Sequence, residues 1–188
     1  TALIMGNIKK QIFRHGVFSY YENDEYIGKS LSEYGEWSEP EVVLLKQLLN
    51  TNNDILILGQ GVKSPWYVGN TCKDLIELFP DRVLDTPVSE NAMTGVAIGM
   101  SLNKMIPIMN HQRMDFFLLA MDQLINNAAK WKYMFGGQQK TPIIIRLIVG
   151  RGWGQGPTHS QNFQNMFASV PGLKIYIPSF PSTVRNIL

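Results

Sequence analysis

Cysteine is almost missing from this 188-residue chain, in which Cys72 stands alone. A single thiol excludes an internal disulfide and any cysteine-rich zinc site, and it fits a reducing, cytoplasmic compartment. Charge of one sign is equally scarce. The formal balance is +2 and the lysines and arginines are scattered, so the basic footprint that nucleic acid or an anionic membrane demands is missing, and neither is expected as a partner. Long apolar runs are missing too. The longest, "PIIIRLIV" at 142–149, is interrupted by Arg146 and is far shorter than the roughly 20 residues that span a bilayer as a helix. "TALIMGNIKK" has no basic start followed by an apolar core, so no export signal is read there. The three histidines, His15, His111 and His159, are far apart with no cysteine or paired carboxylate beside them; a protein-built zinc site is not expected.

What is present is enough apolar residue, 45% of the chain, to build a real core. Residues 1–37, rich in aromatic and polar side chains without a sustained period, read as an irregular or hairpin-bearing arm. From 38 the pattern becomes regular and reads as one domain to residue 188, ending inside a helical pattern that suits a piece of a longer protein. "SEPEVVLLKQLL" offers Ser38 as N-cap, Pro40 in the first turn and Glu41 three residues past the cap, which predicts a helix over 39–49. Short β-branched or apolar runs at 54–58, 82–85, 106–109, 142–149 and 173–177 read as buried strands. Helical patterns at 71–78, 90–102, 115–132 and 160–168, with another beginning at Pro181, lie between and after them. Strand–helix alternation predicts an α/β fold with a doubly wound, mostly parallel sheet, whose ligands sit beyond the carboxyl ends of the strands.

Two loops at that edge carry candidate chemistry. "GRGWGQGPTHSQ" (150–161) has glycine at every second position from Gly150 to Gly156. A dinucleotide fingerprint needs G-x-G-x-x-G after the first strand, and a P-loop needs G-K-S/T; neither spacing occurs. The glycines instead let a loop approach a ligand closely, with His159 at its inner end. A histidine merely satisfied by its neighbours is the plainer reading. In "DTPVSENAMTGVAIGMSL" (85–102), Ser89 caps a helix and Glu90 falls in its first turn, where the helix dipole favours an anion. Simple charge stabilisation of the helix end would explain that. Ala92, Gly95, Ala97, Gly99 and Ser101 lower helix propensity yet permit close approach of the sheet or another subunit. A carboxylate in so crowded a place gives up hydration, which suits an acid that must share a proton. Trp131 and Trp153 are candidate interface anchors, although single tryptophans are commonly just half buried. Ala120, Leu124 and Ala128 share a helical face, with Trp131 or Lys132 near it, which reads as ordinary core packing.

From about Asp54 onward the chain resembles the amino-terminal domain of the beta subunit of thiamin-diphosphate-dependent 2-oxo acid dehydrogenases, of pyruvate and branched-chain type. The carriers are "FPDRVLDTPVSENAMTGVAIGMSL", "DFFLLAMDQLINNAAKWKYMFGGQ", "TPIIIRLIVGRGWGQGPTHSQ" and "PGLKIYIPSFPSTVRNIL", in family order and spacing over roughly 135 residues. The resemblance implies a transketolase-like, pyrimidine-binding module of the thiamin-diphosphate fold. It implies that Glu90 hydrogen-bonds N1′ of the cofactor's aminopyrimidine, favouring the tautomer that takes the proton from the thiazolium C2. Phe116 matches the aromatic position that stacks on that ring. His159 matches a histidine that projects into the active-site channel and guides transfer to a lipoyl group. Ile143 matches a backbone ligand of a structural potassium ion, the other ligands of which fall past Leu188.

The same resemblance implies partners. No Gly-Asp-Gly…Asn motif stands in this chain to hold diphosphate through magnesium, so an alpha-type diphosphate-binding chain is implied to supply those ligands. A homodimer or heterotetramer and a lipoyl-bearing acyltransferase are implied as well. The implied activity is oxidative decarboxylation of a 2-oxo acid. A noncatalytic thiamin-fold interaction module and a transketolase-type transferase are the alternative readings. The family's Gly-Glu-Asp/Glu after the first strand is here Gly59, Gln60 and Gly61, which puts an acidic network beside the cofactor in question. Residues 15–45 resemble instead the leader of some S-adenosylmethionine-dependent methyltransferases, but "LILGQGVKSPW" lacks the D-x-G-x-N-like turn that methyl transfer requires.

Overall fold

Along Ile55–Gly59 (β3) and Ile106–His111 (β5) alternate side chains point to opposite faces, and both faces are apolar. Ile55, Ile57 and Ile108 enter one buried cluster, while Leu58 and Met109 enter another. A strand that must be apolar on both sides belongs inside a covered parallel sheet. The computed structural model places it there. The model describes residues 8–13, 16–21, 39–52, 54–64, 72–149, 155–178, 183–184 and 187. Its main sheet has four strands in the order β4-β3-β5-β6, where β4 is Val83–Asp85 and β6 is Ile144–Leu147. All three pairings are parallel, with Gly59 opposite both Asp85 and Asn110, and Asn110 opposite Arg146. The first strand of the sheet thus has its successors on either side, and ligands bind at such a reversal of strand order.

Helices cover the two faces. Glu39–Thr51 (α1) and Lys73–Leu78 (α2) contribute Leu45, Leu49 and Leu75 to the cluster with Ile57, Val62 and Val83. Lys46 and Asp74 join these two helices through a 2.6 Å ion pair. Arg82 donates to the carbonyls of Leu49 and Asn52, so a cation occupies the negative end of α1. Ser38 lies outside the described residues, and the capping arrangement read there goes with it. On the other face Glu90–Leu102 (α3) lays Met93, Ala97, Met100 and its neighbours on Leu58, Met109 and Ile145. The Ser89 hydroxyl accepts from the Ala92 N–H at 3.4 Å, the cap that starts this helix. Of its small residues, Ala97 and Ser101 are buried, whereas Ala92 and Gly99 are exposed.

Three expectations change. The continuous helix over 115–132 is instead Met114–Phe117 (α4), a 3-10 turn at Leu118–Ala120, a π-helical stretch at Asp122–Ala128 and Trp131–Met134 (α5). Tightening and then widening the winding keeps Phe117, Ala120 and Leu124 together in one cluster with Phe167. Gly136 and Gly137, both with positive φ, then end the segment. The strand over 173–177 does not form. Ile175, Tyr176 and Ile177 are exposed, and β-branched character makes a strand only where a neighbour completes the ladder. The helix over 160–168 shortens to Gln164–Ala168 (α6), and 161–163 belong to no regular element.

At the start of the chain, Ile8–Phe13 (β1) and Gly16–Tyr21 (β2) pair antiparallel, from Ile8↔Tyr21 to Phe13↔Gly16. The hairpin read for the arm is present. Most of the leader that resembles a methyltransferase segment, together with His15, Trp153, Pro181 and residues 150–154, falls outside the described residues. Among the described residues no helix is long and apolar enough to cross a membrane.

Candidate active site

At the carboxyl edge of the sheet, β3 ends on Gly59 and turns through Gln60 and Gly61. The turn is held from the neighbouring strand: the Val62 N–H donates to the Asp85 carboxylate at 3.1 Å, and the Thr86 N–H donates to the Gly59 carbonyl at 3.1 Å. So fixed, the Gln60 side chain is buried, and its Nε2 donates to Glu90 Oε1 at 2.9 Å. Glu90 opens α3 and is only 7% exposed. A buried carboxylate is tolerated when it accepts hydrogen bonds and faces the positive end of a helix, and Glu90 has both. Where the family resemblance implies an acidic pair, this chain places a neutral amide donor against a single carboxylate.

A second chain of contacts ties α3 to the end of β5. Thr94 Oγ1 donates to the Glu90 carbonyl at 2.8 Å and lies 3.4 Å from His111 Nε2. His111 is 1% exposed, its ring lies 4.7 Å from that of Phe117, and its Nδ1 has no protein partner among the described residues. Burial lowers its imidazole from 6.5 to about 4. The consequence for stability has a definite sign. Above pH 6.5 both states hold the ring neutral, and as the pH falls toward 4 the unfolded chain takes up a proton that the folded chain refuses. Stability is therefore intact above 6.5 and is lost downward, by up to about 3 kcal/mol. Urea midpoints for the wild type and His111→Gln should diverge over that window; equal pH slopes would contradict this account.

The corner after β5 also reaches the histidine loop. Phe116 and His159 meet edge to face, with centroids 5.1 Å apart. The buried Asp115 accepts through Oδ1 from both the backbone N–H and the side-chain amide of Gln161, at 3.1 and 3.0 Å. Arg113 Nη2 donates to Gln155 Oε1 at 2.7 Å. Burial lowers the Arg113 guanidinium below its ordinary value, and the charge of Asp115 acts in the opposite direction. Behind the strand, the half-buried Arg146 donates to Asn110 Oδ1 at 3.1 Å.

Of the residues singled out from sequence, Phe116 and His159 are thus brought into contact, and Glu90 is joined to them through Thr94, His111 and the Phe117 beside Phe116. Ile143 is half buried and packs toward Leu58 and Met109. Sequence reasoning missed Gln60 as Glu90's partner, and it missed His111, Asp115 and Gln161. The available signal was position, since each ends or follows a strand or flanks the loop at the carboxyl edge.

The chain is thus a parallel, doubly wound α/β module with a sheltered carboxylate at its carboxyl edge. The family model for the transketolase pyrimidine-binding domain matches residues 36–188, and the chain belongs to that family. It is 37% identical over 154 residues to the acetoin:2,6-dichlorophenolindophenol oxidoreductase subunit beta of Cupriavidus necator, over 77% of this chain and 46% of that protein. It is 35% identical over 141 residues to the mitochondrial pyruvate dehydrogenase E1 component subunit beta of Saccharomyces cerevisiae, over 74% of this chain and 38% of that protein. The pyruvate dehydrogenase E1 component subunit beta of Gracilaria tenuistipitata is 38% identical over 141 residues, over 74% and 44% respectively. The chain spans less than half the length of each of these relatives.

Proposed function

We propose that this chain is the pyrimidine-binding, beta-type part of a thiamin-diphosphate-dependent 2-oxo acid dehydrogenase. It would work with an alpha-type chain to decarboxylate a 2-oxo acid oxidatively and pass the acyl group to a lipoyl-bearing acyltransferase. The observation that carries this reading is the buried Glu90 carboxylate, held by Gln60 at the head of α3. The names of the relatives, all beta subunits, support a partner-dependent assembly, whether a homodimer or a heterotetramer. The buried Cys72 is compatible with a cytoplasmic or other reducing compartment. We take residues 1–37 as an arm and 38–188 as the pyrimidine-binding domain.

The residues present fit one end of the cofactor. A sheltered carboxylate suits a ring nitrogen that must be protonated and released, and the half-buried Phe116 ring offers a flat apolar face to an aromatic ring. We assign the magnesium and diphosphate ligands to the partner, because no Gly-Asp-Gly…Asn motif stands in this sequence. When bound, thiamin diphosphate supplies an acidic thiazolium carbon and an aminopyrimidine that relays its proton.

Glu90 would hydrogen-bond the pyrimidine N1′ and hold the proton there. Gln60 keeps Glu90 Oε1 engaged, which orients the carboxylate. His159, with its ring set against Phe116, faces the transfer step. The Ile143 carbonyl would contribute to a potassium site completed elsewhere. Calorimetry with thiamin diphosphate and magnesium tests the reading: binding is expected with an alpha-type partner present and not with this chain alone. Absence of binding in both settings would leave a noncatalytic interaction module.

A further inference from the structure

We propose that Asp115 is a positioning residue for His159: its carboxylate clamps Gln161 by backbone and side chain together, and so sets the imidazole against Phe116. The proposal rests on the reading of His159 as an active-site group, but the clamp itself is a property of the free chain. One oxygen, Oδ1, receives both N–H groups of Gln161, at 3.1 and 3.0 Å. Gripping main chain and side chain of one residue fixes its backbone direction as well as its rotamer. Only Ser160 separates Gln161 from His159. Ser160 Oγ donates to the Gly156 carbonyl at 3.1 Å, and the His159 N–H donates to the same carbonyl at 3.3 Å, which closes the 3-10 turn Pro157–His159 into a rigid unit. Orientation imposed at Gln161 is therefore passed to the ring.

Among the described residues, 155–158 are exposed and His159 is half buried, and the nearest buried side chain along the chain is Phe167. Further attachments come from the same corner and from the turn itself: Arg113 to Gln155 at 2.7 Å, the Phe163 N–H to Met114 Sδ at 2.9 Å, and Thr158 Oγ1 at 3.2 Å from His159 Nδ1. Asp115 also bears a cost that a purely structural link would avoid. Its second oxygen, Oδ2, is buried without a partner among the described residues, and leaving one is unfavourable.

Aromatic NMR of the full chain tests this without cofactor or partner. The chain has three histidines, so His159→Gln identifies the His159 ring signals, and Phe116→Leu measures how far the Phe116 ring displaces them. In an Asp115→Leu background, Phe116→Leu is expected to change the His159 signals no further, because the contact is already gone. Asp115→Asn, which keeps an oxygen acceptor, should restore much of the displacement. The His111 signals beside Phe117 report that the fold is intact throughout. Gln161→Ala, at a partly exposed site, gives the same test with little risk to folding and should reduce the displacement. Persistence of the full Phe116-dependent displacement in Asp115→Leu or in Gln161→Ala, with His111 unchanged, would overturn the proposal. In the assembly with an alpha-type partner, Asp115→Leu should lower kcat for acyl transfer to lipoyl by about 100-fold at unchanged KM, the scale of a small misplacement. If His159→Gln leaves that transfer unaffected while the NMR result holds, the functional reading of His159 fails and the clamp stands.

Discussion

Glu90→Gln is expected to abolish proton exchange at the thiazolium C2 of bound cofactor, by at least about 100-fold in the assembly with an alpha-type partner, while the unfolding midpoint stays close to that of the wild type. The first half follows from the chemistry of the group. General acid–base catalysis by a placed side chain contributes roughly 10²–10⁴-fold, and an amide can neither hold nor release the proton. The second half follows from shape. Gln60 Nε2 now donates to Glu90 Oε1 at 2.9 Å, and the amide oxygen of the variant can accept the same bond. Loss of the charge–dipole attraction at the head of the helix costs about 0.3–1 kcal/mol, and relief from burying a charge offsets it. Solvent deuterium exchange followed by NMR gives the rate, and calorimetry confirms that the cofactor is bound. Exchange at the wild-type rate in a loaded, folded variant would remove Glu90 from the chemistry.

The resemblance placed Glu90, Phe116 and His159 because each lies within a run of sequence with its own local logic. Ser89 caps the helix that Glu90 opens, and α3 begins and ends where its pattern predicts, at 90 and 102. The strands of the sheet were legible as short apolar runs because both faces of the sheet are covered. The rest depends on contacts between distant parts of the chain. Gln60 meets Glu90 across 30 residues and Asp115 meets Gln161 across 46, and no spacing in one sequence encodes such a meeting. The run at 173–177 reads as a strand but has no partner strand among the described residues, so local preference gave an answer that tertiary structure did not take up. The segment 115–132 fails differently. Its periodicity is helical, yet the winding adjusts to keep Phe117, Ala120 and Leu124 in contact with Phe167, and a pattern of residue types does not distinguish 3.6 residues per turn from a mixture of tighter and wider turns.

Gly59→Ala is expected to destabilise the chain by several kcal/mol. A Cβ at this position would lie 2.1 Å from the Asn110 carbonyl oxygen and 3.0 Å from its carbon, and the backbone there has φ +155°. The obstruction is the main chain of a paired neighbour, not the end of a flexible side chain. Asn110 lies opposite Gly59 in the β3–β5 ladder, and the Thr86 N–H is bonded to the Gly59 carbonyl from the other side. Neither neighbour can give way without opening the sheet. Overpacking and an unfavourable backbone conformation each cost about 1–3 kcal/mol, a large share of the roughly 5–15 kcal/mol that holds a domain folded. Gly99→Ala is the matched control, because nothing lies within 4 Å of its added Cβ; on exposed helix it should stabilise by about 0.5–1 kcal/mol. Urea unfolding of the two variants should move the midpoint in opposite directions, and a midpoint for Gly59→Ala at or above the wild-type value would contradict the packing. Gln60 follows directly in the chain, so whatever Gly59→Ala protein remains folded in the cold should also lose the Gln60–Glu90 bond, and with it cofactor affinity in the presence of the partner chain.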